Sequence, residues 1–298
     1  MKKVYLIILS LSLLLAGCGA KKSDSLKTTE STYETAEAIT TQQETTTQQE
    51  TTTQTETTQE ETTQEETTSA NLSRDEYYST LVEEAKAEGR KIVYLTFDDG
   101  SGTLTPTVLD ILDKYDVKAT FFVVGAYSHG DEYAKEIYND IINRGNTLGI
   151  HSFSHSRADI YASLDAFSED CDKMIEYVTK LTGYTPFLWR FPGGSATQFA
   201  DSRMVTEYIP YIENKGMVYY DWNVSSGDGN QTATREQIYN NVIDGVKNKD
   251  VSVVLMHDGY GHEETVAALP DILNTLINEL DCLVVPITES TSPVQSQL

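Results

Sequence analysis

Ile92-Val93-Tyr94-Leu95-Thr96-Phe97-Asp98-Asp99-Gly100, preceded by Lys91, is the stretch on which the reading of this chain turns. Residues 92–96 are all β-branched, aromatic or aliphatic, the pattern of a strand buried on both faces of a parallel sheet. The strand delivers two adjacent carboxylates and a glycine at its C-terminal end. In α/β architectures that end collects functional groups, because the loops there are held by a rigid scaffold. Neighbouring carboxylates repel each other unless a cation or a proton separates their roles. Taken alone, Asp-Gly after a strand is equally a turn and a helix cap.

Outward from this strand the chain alternates. Apolar runs predict further strands at 119–124, 147–150, 188–191, 217–222, 251–256 and 283–287. Apolar stripes and end signals predict helices at 105–115, 131–144, 164–181, 202–214, 234–247 and 265–280. Residues 73–90 read as a leading helix, with Ser73 as cap, Asp75 and Glu76 in the first turn and Gly89 at the end. This βα alternation with short connections fits a (β/α) barrel or a wound sheet. The barrel is preferred, because functional residue types follow nearly every strand.

The first seventy residues are not fold sequence. Lys2 and Lys3 precede an apolar run, 4–15, that ends in Leu15-Ala16-Gly17-Cys18. A basic start, a short apolar stretch and small residues before a cut describe an export signal, too short to span a membrane comfortably. The motif resembles a bacterial lipobox, which implies lipidation at Cys18 and a position on the outer face of the cell membrane. Residues 19–72 are rich in Thr, Gln and Glu. Between 21 and 70 there are eleven acidic and three basic residues. Without an apolar period such a segment cannot offset its chain entropy and is expected to be disordered. The net charge of -24 and the pI near 4.4 argue against a nucleic-acid partner. Of the three cysteines, Cys171 and Cys282 remain beside Cys18, and buried free thiols are preferred over a bridge.

Two of the five histidines stand in His151-Ser152-Phe153-Ser154-His155, after the third strand. On a helical turn this spacing puts both imidazoles on one face, within reach of one ion. Two histidines and one carboxylate with open positions suit a catalytic metal site rather than a structural one. Later strands end in Arg190-Phe191-Pro192-Gly193-Gly194, in Trp222-Asn223-Val224-Ser225-Ser226-Gly227-Asp228 and in Leu255-Met256-His257-Asp258-Gly259.

Taken in order, Thr96-Phe97-Asp98-Asp99-Gly100, His151 with His155, Arg190-x-Pro192-x-Gly194 and Leu255-x-His257 resemble the polysaccharide deacetylase family, carbohydrate esterase family four. The resemblance covers 91–289 and implies a distorted (β/α) barrel, with 290–298 left as a flexible tail. It implies Asp98 as general base and Asp99, His151 and His155 as ligands of a divalent metal, Zn²⁺ first and Co²⁺ as alternative. Arg190 resembles the partner of the base, Gly193 N–H an oxyanion donor, and His257 the general acid with Asp228 behind it. Leu255 resembles the wall for the acetyl methyl. The chain departs from the family at Ser101 (usually proline), Gly193 (usually tyrosine) and Gly229 (usually tryptophan), and Trp222 is a candidate to fill the last space. The activity implied is deacetylation of cell-wall glycan by a monomeric, lipid-anchored enzyme, on the N-acetylglucosamine of peptidoglycan. Chitin oligomers or O-acetylated xylan are the alternatives within the class, and a non-catalytic sugar- or metal-binding lipoprotein the alternative outside it.

Overall fold

The computed structural model describes residues 72–125 and 129–298. The expected export signal, the lipidation site Cys18 and the linker up to residue 71 lie outside the described residues. Within them the chain runs α1 (Arg74–Ala87), β1 (Ile92–Asp98), α2 (Thr105–Lys114), β2 (Thr120–Val124), α3 (Asp131–Asn143), β3 (Thr147–Ser152), α4 (Arg157–Ile160), α5 (Leu164–Thr182) and β4 (Leu188–Trp189). It continues through α6 (Ile209–Asn214), β5 (Val218–Tyr219), β6 (Val224–Ser225), α7 (Arg235–Lys247), β7 (Val251–His257), α8 (Glu263–Asn274) and β8 (Leu283–Val284).

All pairings are parallel, in the order β5-β4-β3-β2-β1-β7-β6. This is the cyclic order of a barrel left open between β5 and β6. β8 pairs with the first residues of β1, Ile92 and Val93, while β2 takes the last, Thr96 to Asp98. β8 is thus wedged in where β2 has not yet begun. The barrel expected from the sequence is present in this distorted form.

β1 is buried along its whole length, and its alternation sorts two cores. Val93, Leu95 and Phe97 face outward, into the large cluster under the helices. Ile92 and Tyr94 face the barrel interior with Phe122, Leu188, Tyr220 and Val253. Thr96 and Asp98 continue that inner row, so the interior turns from apolar to polar toward the C-terminal ends of the strands. The opposite end is plugged by α1, whose Ala85 is buried and whose Tyr78 and Val82 pack on the inner cluster. A capping box between Ser73 and Glu76 starts this helix.

Three expectations change. β6 went unseen because two residues, Val224 and Ser225, carry no readable period. The predicted helix 202–214 opens instead as a π-helical turn, Met204–Tyr208, before α6. Pro210 lacks an N–H and its ring crowds the carbonyl four residues back, so the turn ahead of it widens. The tail is not loose. Val294 O accepts from Asp221 N–H at 2.8 Å, Ser296 N–H donates to Asp221 Oδ2 at 2.8 Å, and Gln295 Nε2 donates to Tyr219 O at 3.2 Å. The tail satisfies backbone groups that the edge strand β5 would otherwise leave bare. Cys171 and Cys282 are buried free thiols. Among the described residues no helix is long and apolar enough to cross a membrane.

Candidate active site

Four strand ends build the site. From β1, Asp98 points into the barrel, and from the end of β4 the fully buried Arg190 meets it. Arg190 Nη1 donates to Asp98 Oδ1 at 2.8 Å and to Thr96 Oγ1 at 2.6 Å, Nε to Tyr220 O at 3.0 Å, and Nη2 to Asp221 O at 3.0 Å. Its guanidinium lies 4.1 Å from the centre of the Phe122 ring and 5.8 Å from that of Trp222. A buried cation is tolerable only when paired and hydrogen-bonded, and here each nitrogen is engaged. Burial pushes the Asp98 carboxyl above its ordinary value, and the charge and hydrogen bond of Arg190 pull against that rise.

Asp99 takes a left-handed backbone, φ 70°, which turns its side chain away from that of Asp98 and toward two imidazoles. Its Oδ1 stands 3.2 Å from His155 Nε2 and 3.8 Å from His151 Nε2, and Asp98 Oδ2 is 3.9 Å from His151 Nε2. His151 Nδ1 is 2.6 Å from Arg190 O. A carbonyl only accepts, so Nδ1 carries the proton and Nε2 is left bare, the arrangement of a metal-binding histidine. Burial lowers the His151 pKa to about 3, which keeps the ring neutral.

The two histidines do not share a helical turn. His151 belongs to β3, and His155 follows a tight turn with φ 53°. Asp170 of α5 shapes that turn, accepting from Ser152 Oγ, Phe153 N–H and Ser154 N–H, each at 2.8 Å, while His155 N–H donates to Ser152 Oγ at 2.8 Å. The rings end up 5.2 Å apart. Ligand-type atoms of Asp99, His151 and His155 lie within 4.8 Å of one another. Asp99 Oδ1 is buried and has no hydrogen-bond donor among the described residues. An orphaned carboxylate oxygen beside two imidazole nitrogens fits a divalent cation such as Zn²⁺, with coordination positions to spare.

Across the site, His257 ends β7 in register with Asp98. Its Nδ1 and its backbone N–H donate to Asp228 Oδ1 and Oδ2, both at 2.8 Å, and Thr265 Oγ1 donates to Oδ2 at 2.8 Å. Burial works against the imidazolium, but the hydrogen bond and charge of Asp228 outweigh it and lift His257 to about 9. His262 stacks on His257, centres 5.0 Å apart and planes 18° apart. Leu255, two residues earlier on the same face of β7, is buried. The buried carboxyl of Asp258 is raised to about 7 by desolvation and accepts from Thr105 Oγ1 at 2.7 Å.

The loop after β4 turns through Gly193 and Gly194, with φ 84° and 79°. A Cβ on Gly194 would lie 2.9 Å from Trp222, so glycine is required there. Asp221 anchors the loop by accepting from Ser195 N–H and Ser195 Oγ. Gly193 N–H has no acceptor among the described residues.

The family described as polysaccharide deacetylase matches residues 85–208. A peptidoglycan-N-acetylglucosamine deacetylase of Bacillus cereus is 32% identical over 214 residues, covering 67% of this chain and 71% of the relative. The chain belongs to the polysaccharide deacetylase family. YheN of Bacillus subtilis is 32% identical over 194 residues, covering 63% of this chain and 64% of that protein. The solved catalytic domain of a peptidoglycan N-acetylglucosamine deacetylase from Eubacterium rectale is 39% identical, with a TM-score of 0.65 over 70% of this chain and 93% of that one. These homologues indicate a hydrolase acting on amide bonds of sugars.

Within this polysaccharide deacetylase fold, Asp98, Asp99, His151, His155, Arg190, Gly193, Asp228, Leu255 and His257 converge at one end of the barrel. Trp222 does not fill the space over Gly229. It packs on Gly194, and the one atom within 4 Å of a Cβ at Gly229 is His257 Cε1. Sequence reasoning passed over Asp170, Asp221, Asp258, Thr265 and His262. Isolated acids and hydroxyls show no local pattern, and only the adjacency of Asp258 to His257 offered a signal.

Proposed function

We propose that this chain is a metal-dependent hydrolase removing N-acetyl groups from the N-acetylglucosamine of peptidoglycan, held by a lipid on Cys18 at the outer face of a bacterial cell membrane. The observation that carries this reading is the side-by-side placement of Asp98, clamped by Arg190, and His257, clamped by Asp228, in front of the open Asp99–His151–His155 cradle.

An amide is a poor electrophile with a poor leaving group, so its hydrolysis needs a polarised carbonyl, an activated water and a proton for nitrogen. A divalent ion held by Asp99, His151 and His155, Zn²⁺ first and Co²⁺ as alternative, supplies Lewis acidity when bound. Asp98 gives one oxygen to Arg190 and keeps Oδ2 for the proton of the attacking water. His257, whose Nδ1 is committed to Asp228, offers its Nε2 proton to the departing amine. With its pKa near 9 it carries that proton at neutral pH. Gly193 N–H donates to the acetyl oxygen as it gains charge. Leu255 borders the acetyl methyl, and Trp222 flanks the sugar from the Gly194 side.

Peptidoglycan is favoured by the Bacillus cereus and Eubacterium rectale relatives, and the reading of residues 1–18 as an export signal with a lipid anchor agrees with a substrate outside the membrane. A bifunctional xylanase/deacetylase of Pseudobutyrivibrio xylanivorans, 29% identical over 192 residues, keeps acetylxylan as the second reading. The test is mass spectrometry of muropeptides, chitin oligomers and acetylxylan before and after treatment with the purified protein, with and without chelator. Loss of acetyl mass from glucosamine of muropeptides, abolished by chelator, is expected. Release from acetylxylan alone would replace the substrate, and release from none would overturn the enzymatic reading.

A further inference from the structure

One cation at the rim of the site has no part in the chemistry above. Arg157 opens α4, two residues after His155, with its side chain exposed. A Cβ built on Gly193 would stand 3.4 Å from Arg157 Nη1 and 3.5 Å from its Cδ. Together with Thr197 Oγ1, at 3.1 Å from the same point, the Arg157 side chain borders the ground beside Gly193 that a side chain at that position would enter.

Three contacts put it there. The turn that Asp170 organises leads directly into α4. Tyr161 Oη, at the end of α4, donates to Pro192 O at 3.1 Å and ties the helix to the Gly193 loop. The ring of Phe199, 48% exposed, lies 5.2 Å from Arg157 Cζ and supports the flat cation. Arg144, Arg203 and Arg235 are each paired with an aspartate. Among the described residues Arg157 makes no ion pair. In a chain of net charge -24, an unpaired guanidinium next to the reacting groups stands out from a surface dominated by the opposite sign.

We infer that Arg157 is a specificity-determining residue that pairs with a free carboxylate of the glycan, such as the lactyl group that removal of the stem peptide leaves on the sugar next to the acetamido group being hydrolysed. This rests on the deacetylase reading above and sharpens it. The planar fork of arginine matches a carboxylate in two-point fashion, and neither chitin oligomers nor acetylxylan offers that group at this position. Phe199 restricts the side chain's freedom, so less is lost when the pair forms.

The test uses the full chain, wild type, Arg157→Gln and Arg157→Lys, with acetate release as the readout. The substrates are a peptidoglycan tetrasaccharide with free lactyl carboxylates, the same tetrasaccharide with those carboxylates converted to amides, and a neutral N-acetylglucosamine tetramer. The wild-type protein should favour the acid over the amide by about tenfold in kcat/KM, the worth of one charge-assisted hydrogen bond. High salt should shrink that ratio. Arg157→Gln should bring it near one, and Arg157→Lys should restore part of it. A ratio near one in an active wild type, or one that survives Arg157→Gln, overturns the inference while leaving the deacetylase reading in place. Equal loss on acid and amide in Arg157→Gln would mean a structural role and overturns it too. Acetate from none of the three substrates defeats the deacetylase reading itself, and this inference with it.

Discussion

Asp99, His151 and His155 on one side of the site and Asp228, His257 and His262 on the other are the same set, one aspartate and two histidines, with candidate ligand atoms within 4.8 Å in both groups. Their surroundings differ. Asp228 has both oxygens engaged, by the His257 ring, the His257 backbone and Thr265. Asp99 keeps a buried oxygen with no donor. His151 gives its Nδ1 proton to a carbonyl and leaves Nε2 bare, whereas His257 spends Nδ1 on its own carboxylate. The His257 and His262 rings lie nearly parallel, so their in-plane lone pairs do not converge on one point. A carboxylate already saturated by donors prepares a neighbouring histidine to carry a proton, while one left bare beside an unprotonated imidazole nitrogen prepares room for a cation. Composition and proximity do not separate these cases, but hydrogen-bond accounting does.

The sharpest way to break the comparison is to exchange carboxylate for amide at the two neighbouring aspartates. In Asp99→Asn the metal content of the purified protein should fall from about one ion per chain to near none, and kcat/KM should fall with it, because the ion is bound through charge. In Asp98→Asn the ion should stay while kcat/KM drops ~10²- to 10⁴-fold, the usual loss on removing a general base. Metal analysis and kinetics on the same preparations decide it. An empty Asp98→Asn beside a loaded Asp99→Asn would exchange the roles of the pair.

A smaller effect is expected at Asp228. The raised His257 holds its proton until the pH passes about 9, so activity that needs that proton should decline on the alkaline side of that value. Asp228→Asn removes the charge that lifts the ring, and the alkaline limb of the kcat/KM profile should move down toward the ordinary histidine value of 6.5. An alkaline limb that stays in place would show that another group titrates there.

The smallest effect belongs to His262. If the second group is ground for a proton and not for an ion, His262→Asn should leave the number of bound Zn²⁺ unchanged at excess metal and alter kcat/KM only slightly. A second ion in the wild type that disappears in this variant would erase the distinction between the two groups.

What could be read in the sequence followed from how local its cause was. The strand 92–98 announced itself through side-chain type, and its two carboxylates through adjacency. The spacing of His151 and His155 pointed to a shared ion for the wrong local reason, since the turn that brings them together is drawn by Asp170, far along the chain in α5. Asp221 and His262 were silent because their partners are fixed only once the barrel has formed. β6 and the tail were missed for a related reason. A two-residue strand and an extended segment of Ser, Pro, Val and Gln have no period, and they are specified by the edge they complete.

Asp221 gives that tail a practical meaning. Its carbonyl receives Arg190 Nη2, its carboxylate receives Ser195 and Ser296, and its N–H is given to Val294 O. Two links therefore separate the last few residues from the Asp98 carboxylate. Clipping by an exopeptidase that passes Val294 strips Asp221 of two partners and loosens the backbone on which Arg190 is hung. For anyone preparing or immobilising the protein, the stretch after Glu289 is a poor place for a truncation, and a purification handle belongs well away from it.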